Sequence, residues 1–522
     1  MTAGPLVLIG LDALDLGEVR TRVADGRMPN LARIVGVASL ETLEPCVPGF
    51  AGATWRSFVN AAPVGDHGWH FGKVWRPEAC RIDAADPGFL RLEPFWNALA
   101  AAGLRLGLVD VPYAPDPGET FDGVFISGWQ THDSHPLVAR PARLLAELHG
   151  RFGTPALGAE HYGAPSAERL VHLHHGALRS IDQIAGIGAH LLAHDTFDLF
   201  ALVIGAPHRA GHYLWDLSQI DVRQLPPAEA STLHTAMDAV YDACDLAVGH
   251  LAAAAPPGAR VCIFALHGMG PNPGWTDIFP EIVRHLARGP SRPGLRDRLT
   301  AWRRSQAALA AARLVPAGAQ RLVRNVWSSR MHDWSRTRYF SLPREDGGAV
   351  RINLAGRERE GIVGADDEYA RLCSELAERL AEVEDLETGR PIVAQARIVD
   401  EMVGVGAPYR HYLPDIVVEW ADRRLGDSVG VRFGGGGGEL HWPRGRRLTS
   451  GRSGNHRPQG WLAGELSRPM PPSRRRSAVD LAGAMLGWFG VERRRDRSPV
   501  AFGLGLGLSQ LLHGVAPLTA GL

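Results

Sequence analysis

Six apolar runs of strand length recur along the chain with long helical patterns between them. The runs are Leu6–Leu11, Arg105–Val109, Val124–Ile126, Leu199–Ile204, Arg260–Ala265 and Asp415–Glu419, and the helical patterns include Ala167–Ala193, Ala228–Ala253 and Glu368–Val383. Because the runs are continuously apolar rather than alternating, both faces of each strand are expected to be covered. The sequence therefore predicts an α/β fold with a doubly wound, mostly parallel central sheet and helices on both faces.

This α/β domain is expected to occupy residues 1–490, with two helical insertions. Residues 131–194 are rich in histidine, and residues 275–335 are rich in arginine, with nine arginines against one aspartate in 291–330. The basic segment is interpreted either as a solvated helix face or as a lid that attracts anions. Residues 491–522 form an apolar C-terminal tail, for which poor order is favoured over a membrane anchor.

Charge and cysteine content exclude several classes of protein. The 522 residues carry 56 basic and 56 acidic side chains, so no affinity for nucleic acid or anionic membrane is predicted. The five scattered cysteines lack CxxC spacing, which argues against a disulfide framework or a thiolate zinc site. The first residues resemble a buried strand rather than a secretory signal, so a cytoplasmic protein is expected. The near-exclusive use of arginine over lysine is typical of GC-rich bacterial coding.

One carboxylate and four imidazoles follow the predicted strands or lie late in the chain. They are Asp12, His208, His212, His267 and His456. Ligands of α/β sheets collect beyond the carboxyl ends of the strands, and this set suits a divalent transition metal such as zinc. A four-residue spacing places His208 and His212 on one face if their turn is helical. Taken singly, each histidine could be structural and Asp12 could be a helix cap.

Seven segments together resemble the type I phosphodiesterase/nucleotide pyrophosphatase branch of the alkaline phosphatase superfamily. They are IGLDALD…RMPNLARI, TWRSFVNAAPVGDHGWHF, GHYLW, HGMGPN, VRINLAGREREGIV, LPDIVVEW and NHRPQGW, in the order of that branch. The resemblance covers roughly residues 5–490. It implies an alkaline phosphatase-like fold and two metal ions, usually zinc, that flank a Thr or Ser nucleophile. A covalent phospho-enzyme would form and then be hydrolysed.

The resemblance also carries the family's metal ligands onto this chain. The positions are Asp12, His208, His212, Leu266, His267 and His456. Histidine stands at 208 where the family has aspartate, and Leu266 replaces a second aspartate. One ion would keep three neutral ligands, His208, His212 and His456, with an open fourth position. The other would keep only Asp12 and His267.

The family's nucleophile position falls on Ala51, which cannot attack phosphorus. Thr54 and Ser57 are nearby hydroxyls, and Thr54 would serve as the catalytic nucleophile only if the loop were shifted. Three hypotheses remain open. The first is a one-zinc hydrolase that activates water against a phosphodiester, nucleotide pyrophosphate or related ester, with Asp12 and His267 as supporting or proton-transfer groups. The second is a two-metal enzyme using Thr54.

The third hypothesis is a catalytically degenerate member that binds an anionic ligand or serves as a protein-interaction module. We favour the one-metal enzyme, with a small anionic ester as substrate and with neither nucleic acid nor membrane as partner. The oligomeric state and the physiological substrate are not predicted.

Overall fold

The structure is a computed structural model. It describes residues 4–35, 40–84, 92–130, 136–158, 165–219, 223, 225–288, 333–445, 448, 450–464 and 476–492. The C-terminal tail from 493 onward and residues 289–332 of the arginine-rich segment lie outside the described residues.

The strands and helices are numbered in chain order. The strands are β1 (Leu6–Leu11), β2 (Leu40–Glu44), β3 (Lys73–Arg76), β4 (Arg81–Ala84), β5 (Leu106–Val109), β6 (Gly123–Ser127), β7 (Val138–Arg140), β8 (Leu199–Ile204), β9 (Arg260–Ala265), β10 (Gly268–Pro271), β11 (Tyr339–Ser341), β12 (Gly348–Ile352), β13 (Glu384–Asp385), β14 (Val393–Ile398), β15 (Ile416–Trp420), β16 (Gly430–Arg432), β17 (Glu439–His441), β18 (Gly454–Arg457), β19 (Gly460–Ala463) and β20 (Arg476–Ser477). The helices are α1 (Leu16–Ala24), α2 (Pro29–Val35), α3 (Thr54–Val59), α4 (Val64–His67), α5 (Trp96–Ala101), α6 (Leu144–Phe152), α7 (Ala167–His194), α8 (Ala206–Leu214), α9 (Pro227–His234), α10 (Ala236–Ala254), α11 (Phe279–Arg288), α12 (Asp367–Ala381), α13 (Val399–Val403) and α14 (Ala478–Trp488).

A nine-stranded sheet forms the centre of the fold, in the order β20-β2-β19-β9-β1-β8-β5-β6-β7. Strands β9, β1, β8, β5 and β6 run parallel to one another. Strand β19 is antiparallel to both of its neighbours, and β7 is antiparallel to β6. The predicted α/β fold with a mostly parallel central sheet is therefore confirmed.

Both faces of this sheet are covered, because successive side chains of a strand point to opposite sides. Along β1, Val7 and Ile9 pack into one hydrophobic cluster, which includes residues of α1, α7 and α10. Leu6 and Leu8 pack into another, with residues of α3, α5 and α14. Continuous hydrophobicity in β1 thus reflects burial on two sides, as predicted.

Two predictions about individual elements were wrong. The apolar run Asp415–Glu419 is a strand, β15, but it lies in a separate four-stranded sheet with the order β11-β12-β15-β14, and both of its partners are antiparallel. An apolar run reports burial and does not identify the strand's partner. The helix predicted over Ala228–Ala253 is divided at Thr235, whose φ of −106° and ψ of 10° end α9 and precede α10.

Within the part of the chain that the structure describes, no helix is long and apolar enough to cross a bilayer.

Candidate metal centre

Asp12 is the residue that directly follows the central strand β1. Its backbone N–H donates to Ile204 O at the end of β8, and the next residue, Ala13, has a φ of 64°. A positive φ is unusual for a residue with a Cβ, so the chain turns sharply after the aspartate. Trp55 Nε1 donates to Asp12 Oδ1 at 2.6 Å. The carboxylate is therefore buried and held in one orientation.

Helix α8 supplies two of the histidines. It begins just after β8, and Pro207 in its first turn suits a position where a backbone N–H has no helical acceptor. His208 and His212 are one helical turn apart, with ring centroids separated by 4.7 Å. The N–H of Gly205, which precedes the helix, donates to Gln130 Oε1 at 2.7 Å and anchors this end of α8. The predicted common face of the two histidines is confirmed.

A two-stranded ribbon, β10 with β18, positions the other two histidines. His267 precedes β10, and His456 lies within β18 opposite Met269. His456 is thus placed by a ribbon and not by the end of a strand in the central sheet. The ribbon meets α8 very closely, since a Cβ on Gly454 would lie 2.1 Å from Gly211 O. Only glycine allows this approach, which brings β18 against the helix of His212.

Three imidazoles converge through their Nε2 atoms. His208 Nε2 lies 2.7 Å from His456 Nε2 and 3.0 Å from His212 Nε2. Within the described residues, these three form the one group of at least three potential metal ligands whose atoms all lie within 4.8 Å of one another. Two nitrogens bound to one tetrahedral zinc ion are separated by about 3.3 Å, as Zn–N bonds of 2.0–2.1 Å require. The cluster is close to that spacing.

The outer nitrogens of two of these rings face oxygen atoms. His212 Nδ1 lies 3.0 Å from Gly454 O, and a carbonyl only accepts, so we assign the proton of that ring to Nδ1. His208 Nδ1 lies 3.4 Å from Asp12 Oδ2. In both rings Nε2 is the nitrogen turned toward the other histidines. A carboxylate or carbonyl behind a histidine is the usual support for a metal-binding imidazole.

The second metal position, which the family resemblance implies, would be less complete. His267 Nε2 lies 3.4 Å from Asp12 Oδ1, while its Nδ1 lies 3.2 Å from Gly268 O. Leu266, where the family resemblance places an aspartate, is 1% exposed and belongs to a hydrophobic cluster of the central sheet. Two of the expected protein ligands, Asp12 and His267, are therefore present at this position.

Ala51, which the resemblance aligns with the family nucleophile, opens a short 3-10 helix, Ala51–Ala53. The hydroxyl of Thr54 donates to Ala51 O at 2.7 Å, so its proton is directed to the backbone of its own turn. Ser57 Oγ lies 3.0 Å from His67 Nε2. His67 Nδ1 accepts the N–H of Trp69, which assigns the ring proton to Nε2. His67 therefore donates to Ser57 and does not act as its base.

A buried ion pair beside the nucleophile position was missed from the sequence. Asp346 Oδ2 accepts the N–H of Gly52 at 3.0 Å, and Arg344 Nε lies 2.5 Å from Asp346 Oδ1. Burial by itself raises the pKa of a carboxyl group, but the Arg344 guanidinium and the nearby His456 hold the pKa of Asp346 well below its usual range. No spacing rule connects residues 52, 344 and 456, so the sequence carries no signal for this contact.

The family model described as type I phosphodiesterase/nucleotide pyrophosphatase matches residues 6–423. The chain belongs to this family. A type I phosphodiesterase of this kind is a hydrolase of the alkaline phosphatase superfamily, and the family is metal-dependent. No curated protein matches the chain at a significant level.

Solved structures with a similar fold include phosphonoacetate hydrolase from Sinorhizobium meliloti 1021 in complex with phosphonoacetate. It is 15% identical to this family member, and the alignment covers 94% of this chain and 96% of that one with a TM-score of 0.50. Murine ectonucleotide pyrophosphatase/phosphodiesterase 5, an inactive variant in complex with AMP, is 12% identical with coverages of 94% and 96% and a TM-score of 0.42. The human protein of that name is 10% identical, with the same coverages and a TM-score of 0.44. At this identity, the first similarity shows the fold alone.

Proposed function

We propose that this family member is a one-zinc hydrolase of a phosphodiester, nucleotide pyrophosphate or related ester that works without a Thr or Ser nucleophile. The observation that carries the proposal is the convergence of His208, His212 and His456 through Nε2. Ala51 and the buried Leu266 also support the proposal, because alanine cannot serve as the family's nucleophile and leucine cannot serve as a metal ligand.

The donor set fits zinc by its chemistry. Imidazole nitrogens suit zinc and similar transition metals, whereas magnesium and calcium prefer oxygen ligands. Three protein ligands leave a fourth tetrahedral position open, which is typical of a hydrolytic zinc site. When bound, the ion supplies Lewis-acid stabilisation of negative charge and activates water near neutral pH.

The protein's own groups would support this chemistry in distinct ways. Asp12 would orient His208 through Nδ1 and offset part of the metal's charge. His267 Nε2, next to the Asp12 carboxylate, would hold or deliver a proton during the reaction. Trp55 keeps the same carboxylate in place through its indole N–H.

A small anionic ester is the substrate that this arrangement favours. Relative to the family pattern, histidine at 208 and leucine at 266 remove two carboxylates, which makes the site more positive. The structurally similar phosphonoacetate hydrolase binds phosphonoacetate, a small anion, and this supports the same substrate class.

Zinc content and hydrolysis of bis(p-nitrophenyl) phosphate test the proposal together. We expect about one zinc per chain, loss of activity on chelation, and loss of both zinc and activity in His456→Ala. His174→Ala is the control, because His174 is a buried histidine in α7 that lies outside the cluster. Purified protein that binds no zinc, or whose activity survives both chelation and His456→Ala, would contradict the one-zinc site.

A second candidate is a non-catalytic, anion-binding family member, which the absence of a hydroxyl at Ala51 favours. The double variant Ala51→Thr with Leu266→Asp distinguishes it from the enzyme. If the native protein binds zinc without hydrolysing the diester and the double variant gains activity, the binding role is correct. A separate variant, Thr54→Val, addresses the two-metal hypothesis, because a native enzyme that used the Thr54 hydroxyl as its nucleophile would lose activity in it.

A further inference from the structure

The segment 344–346 holds the loop at the nucleophile position. Arg344 donates to Gly49 O, and its guanidinium carbon lies 5.2 Å from the ring centroid of Phe50. Asp346 accepts the N–H of Gly52. Segment 344–346 therefore contacts residues 49–52 through a backbone carbonyl, an aromatic ring and a backbone N–H.

The same segment also holds the strand that carries His456. Asn455 Nδ2 donates to Glu345 O at 2.7 Å, and Asn455 Oδ1 accepts the N–H of His456 at 2.8 Å. Arg452 Nη1 lies 2.6 Å from Glu345 Oε2. Strand β18 in turn contacts the 3-10 helix Ala51–Ala53. Segment 344–346 thus bridges two parts of the site that are about 400 residues apart in the sequence.

The ion pair at the centre of this bridge is buried. The side chains of Arg344 and Asp346 are 4% and 5% exposed, and two oxygen–nitrogen contacts of 2.5 and 3.0 Å join them. Removing one partner of such a pair leaves an uncompensated charge in a medium of low dielectric constant. In this case the orphan would be the Arg344 guanidinium, beside the position of Asp346, whose carboxylate interacts electrostatically with His456.

We propose that Arg344 and Asp346 are positioning residues of the metal site. They fix the Ala51 loop against the strand of His456 and keep the surroundings of the three histidines free of an unpaired positive charge. This inference rests on the proposed zinc site. It assigns to the pair a role in metal affinity and not a direct contact with substrate.

Zinc affinity of the metal-free protein, measured by competition with a chromophoric chelator, tests this role. Asp346→Asn keeps an oxygen for the Gly52 N–H but leaves Arg344 without its counter-charge, so we expect zinc binding roughly tenfold weaker, as for other groups that support metal ligands. The double variant Arg344→Met/Asp346→Asn removes both charges and should recover part of that loss. It also serves as the test should the single variant fail to fold.

The control is Asp238→Asn, which breaks the Arg22–Asp238 ion pair (2.6 Å) between α1 and α10, where the Arg22 side chain is 8% exposed and that of Asp238 42%. Weaker zinc binding in Asp346→Asn, with Asp238→Asn within twofold of the native protein, supports the role. Equal affinities in all three proteins, or equal losses in both variants, overturn it. A native protein that binds no zinc refutes the proposed function itself, which separates the two failures.

Discussion

Two buried polar regions of the molecule differ in how their charges are matched. Around the four-stranded sheet, Asp415 is fully buried and pairs with Arg357 (2.7 Å) and Arg410 (2.8 Å). At the histidine cluster, three nitrogens of the same kind converge on one another. The first region is complete without a ligand, since opposite charges meet there. The second would be stabilised by a cation bound between its nitrogens, as in the proposed zinc site.

The charged network shows what a purely structural arrangement looks like in this fold. Arg351 pairs with Glu358 at 2.7 Å, and Trp75 Nε1 donates to the same carboxylate at 2.6 Å. Burial alone would raise the pKa of Asp415, but Arg357, Arg351 and Arg410 hold it well below the usual range of an aspartate. Asp415 therefore remains ionised and needs no further partner.

The largest effect on stability is expected from breaking this network. Asp415→Asn leaves the largely buried guanidinium groups of Arg357 and Arg410 without their shared carboxylate. Each keeps one other carboxylate partner, so the free energy of unfolding should fall by about 3 kcal/mol, the lower end of the cost of breaking a buried ion pair. Urea denaturation of the metal-free variant measures the change. Zinc affinity should stay within twofold of the native value because the network does not include the histidine cluster. A large loss of zinc affinity with little loss of stability would reverse the distinction between the two regions.

The converse behaviour is expected at the histidine cluster. Free zinc at 100 times its dissociation constant should raise the free energy of unfolding of the native protein by about 2.7 kcal/mol. His208→Ala should abolish this gain while changing the stability of the metal-free protein far less than Asp415→Asn does. Thermal or urea unfolding with and without zinc measures both quantities. Zinc stabilisation that persists in His208→Ala would place the ion elsewhere.

The fold was predictable where local pattern determines burial. Residues Leu6–Leu11 and Leu199–Ile204 were predicted as buried strands with the bounds that the structure gives. For β15, however, the apolar pattern identified the strand and missed its sheet. Partner choice depends on contacts between distant segments, such as Val417 with Ala349, and a window of a few residues does not contain them.

The candidate site was predictable only through its histidines and Asp12, because motif spacing and the family resemblance mark them. The bridge formed by Arg344 and Asp346 was not. Its partners, Gly49, Gly52 and Asn455, have no fixed spacing from residues 344–346. Gln130, which anchors α8 through Gly205, was missed for the same reason. Residues that hold other residues in place leave little trace in a single sequence.

Asp12 combines features of both regions, because its side chain is a buried carboxylate that faces two histidines. Asp12→Asn should weaken zinc binding by 10- to 100-fold, the usual cost of losing the group behind a metal-binding histidine. Trp55→Phe is the matched variant, since it removes a hydrogen bond to the same carboxylate and keeps the charge. We expect a smaller loss there, by chelator competition. Equal losses in the two variants would mean that orientation, and not charge, determines the contribution of Asp12.

The smallest effect concerns His67, a buried histidine outside the cluster whose two nitrogens already have partners. Burial, followed by Arg56 and His70, lowers its pKa to about 3, so the folded protein keeps this ring neutral. Between pH 6.5, near the ordinary pKa of histidine, and about pH 3, this ring binds a proton more readily in the unfolded chain than in the folded protein. Stability from this group is therefore present above pH 6.5 and is lost as the pH falls, by up to about 1.4 kcal/mol per pH unit.

His67→Gln should flatten the dependence of unfolding free energy on pH in that range, whereas the exposed His172→Gln should not. Urea denaturation of the metal-free protein at pH 7, 6 and 5 measures the slopes without a contribution from zinc release. His70, whose pKa burial and Arg344 also lower to about 3, adds a slope of the same sign that remains in both variants. If the pH dependence of the unfolding free energy is the same in His67→Gln as in the native protein, the folded protein does not keep the His67 ring neutral. His67 would then not differ from the metal-site histidines in the way proposed.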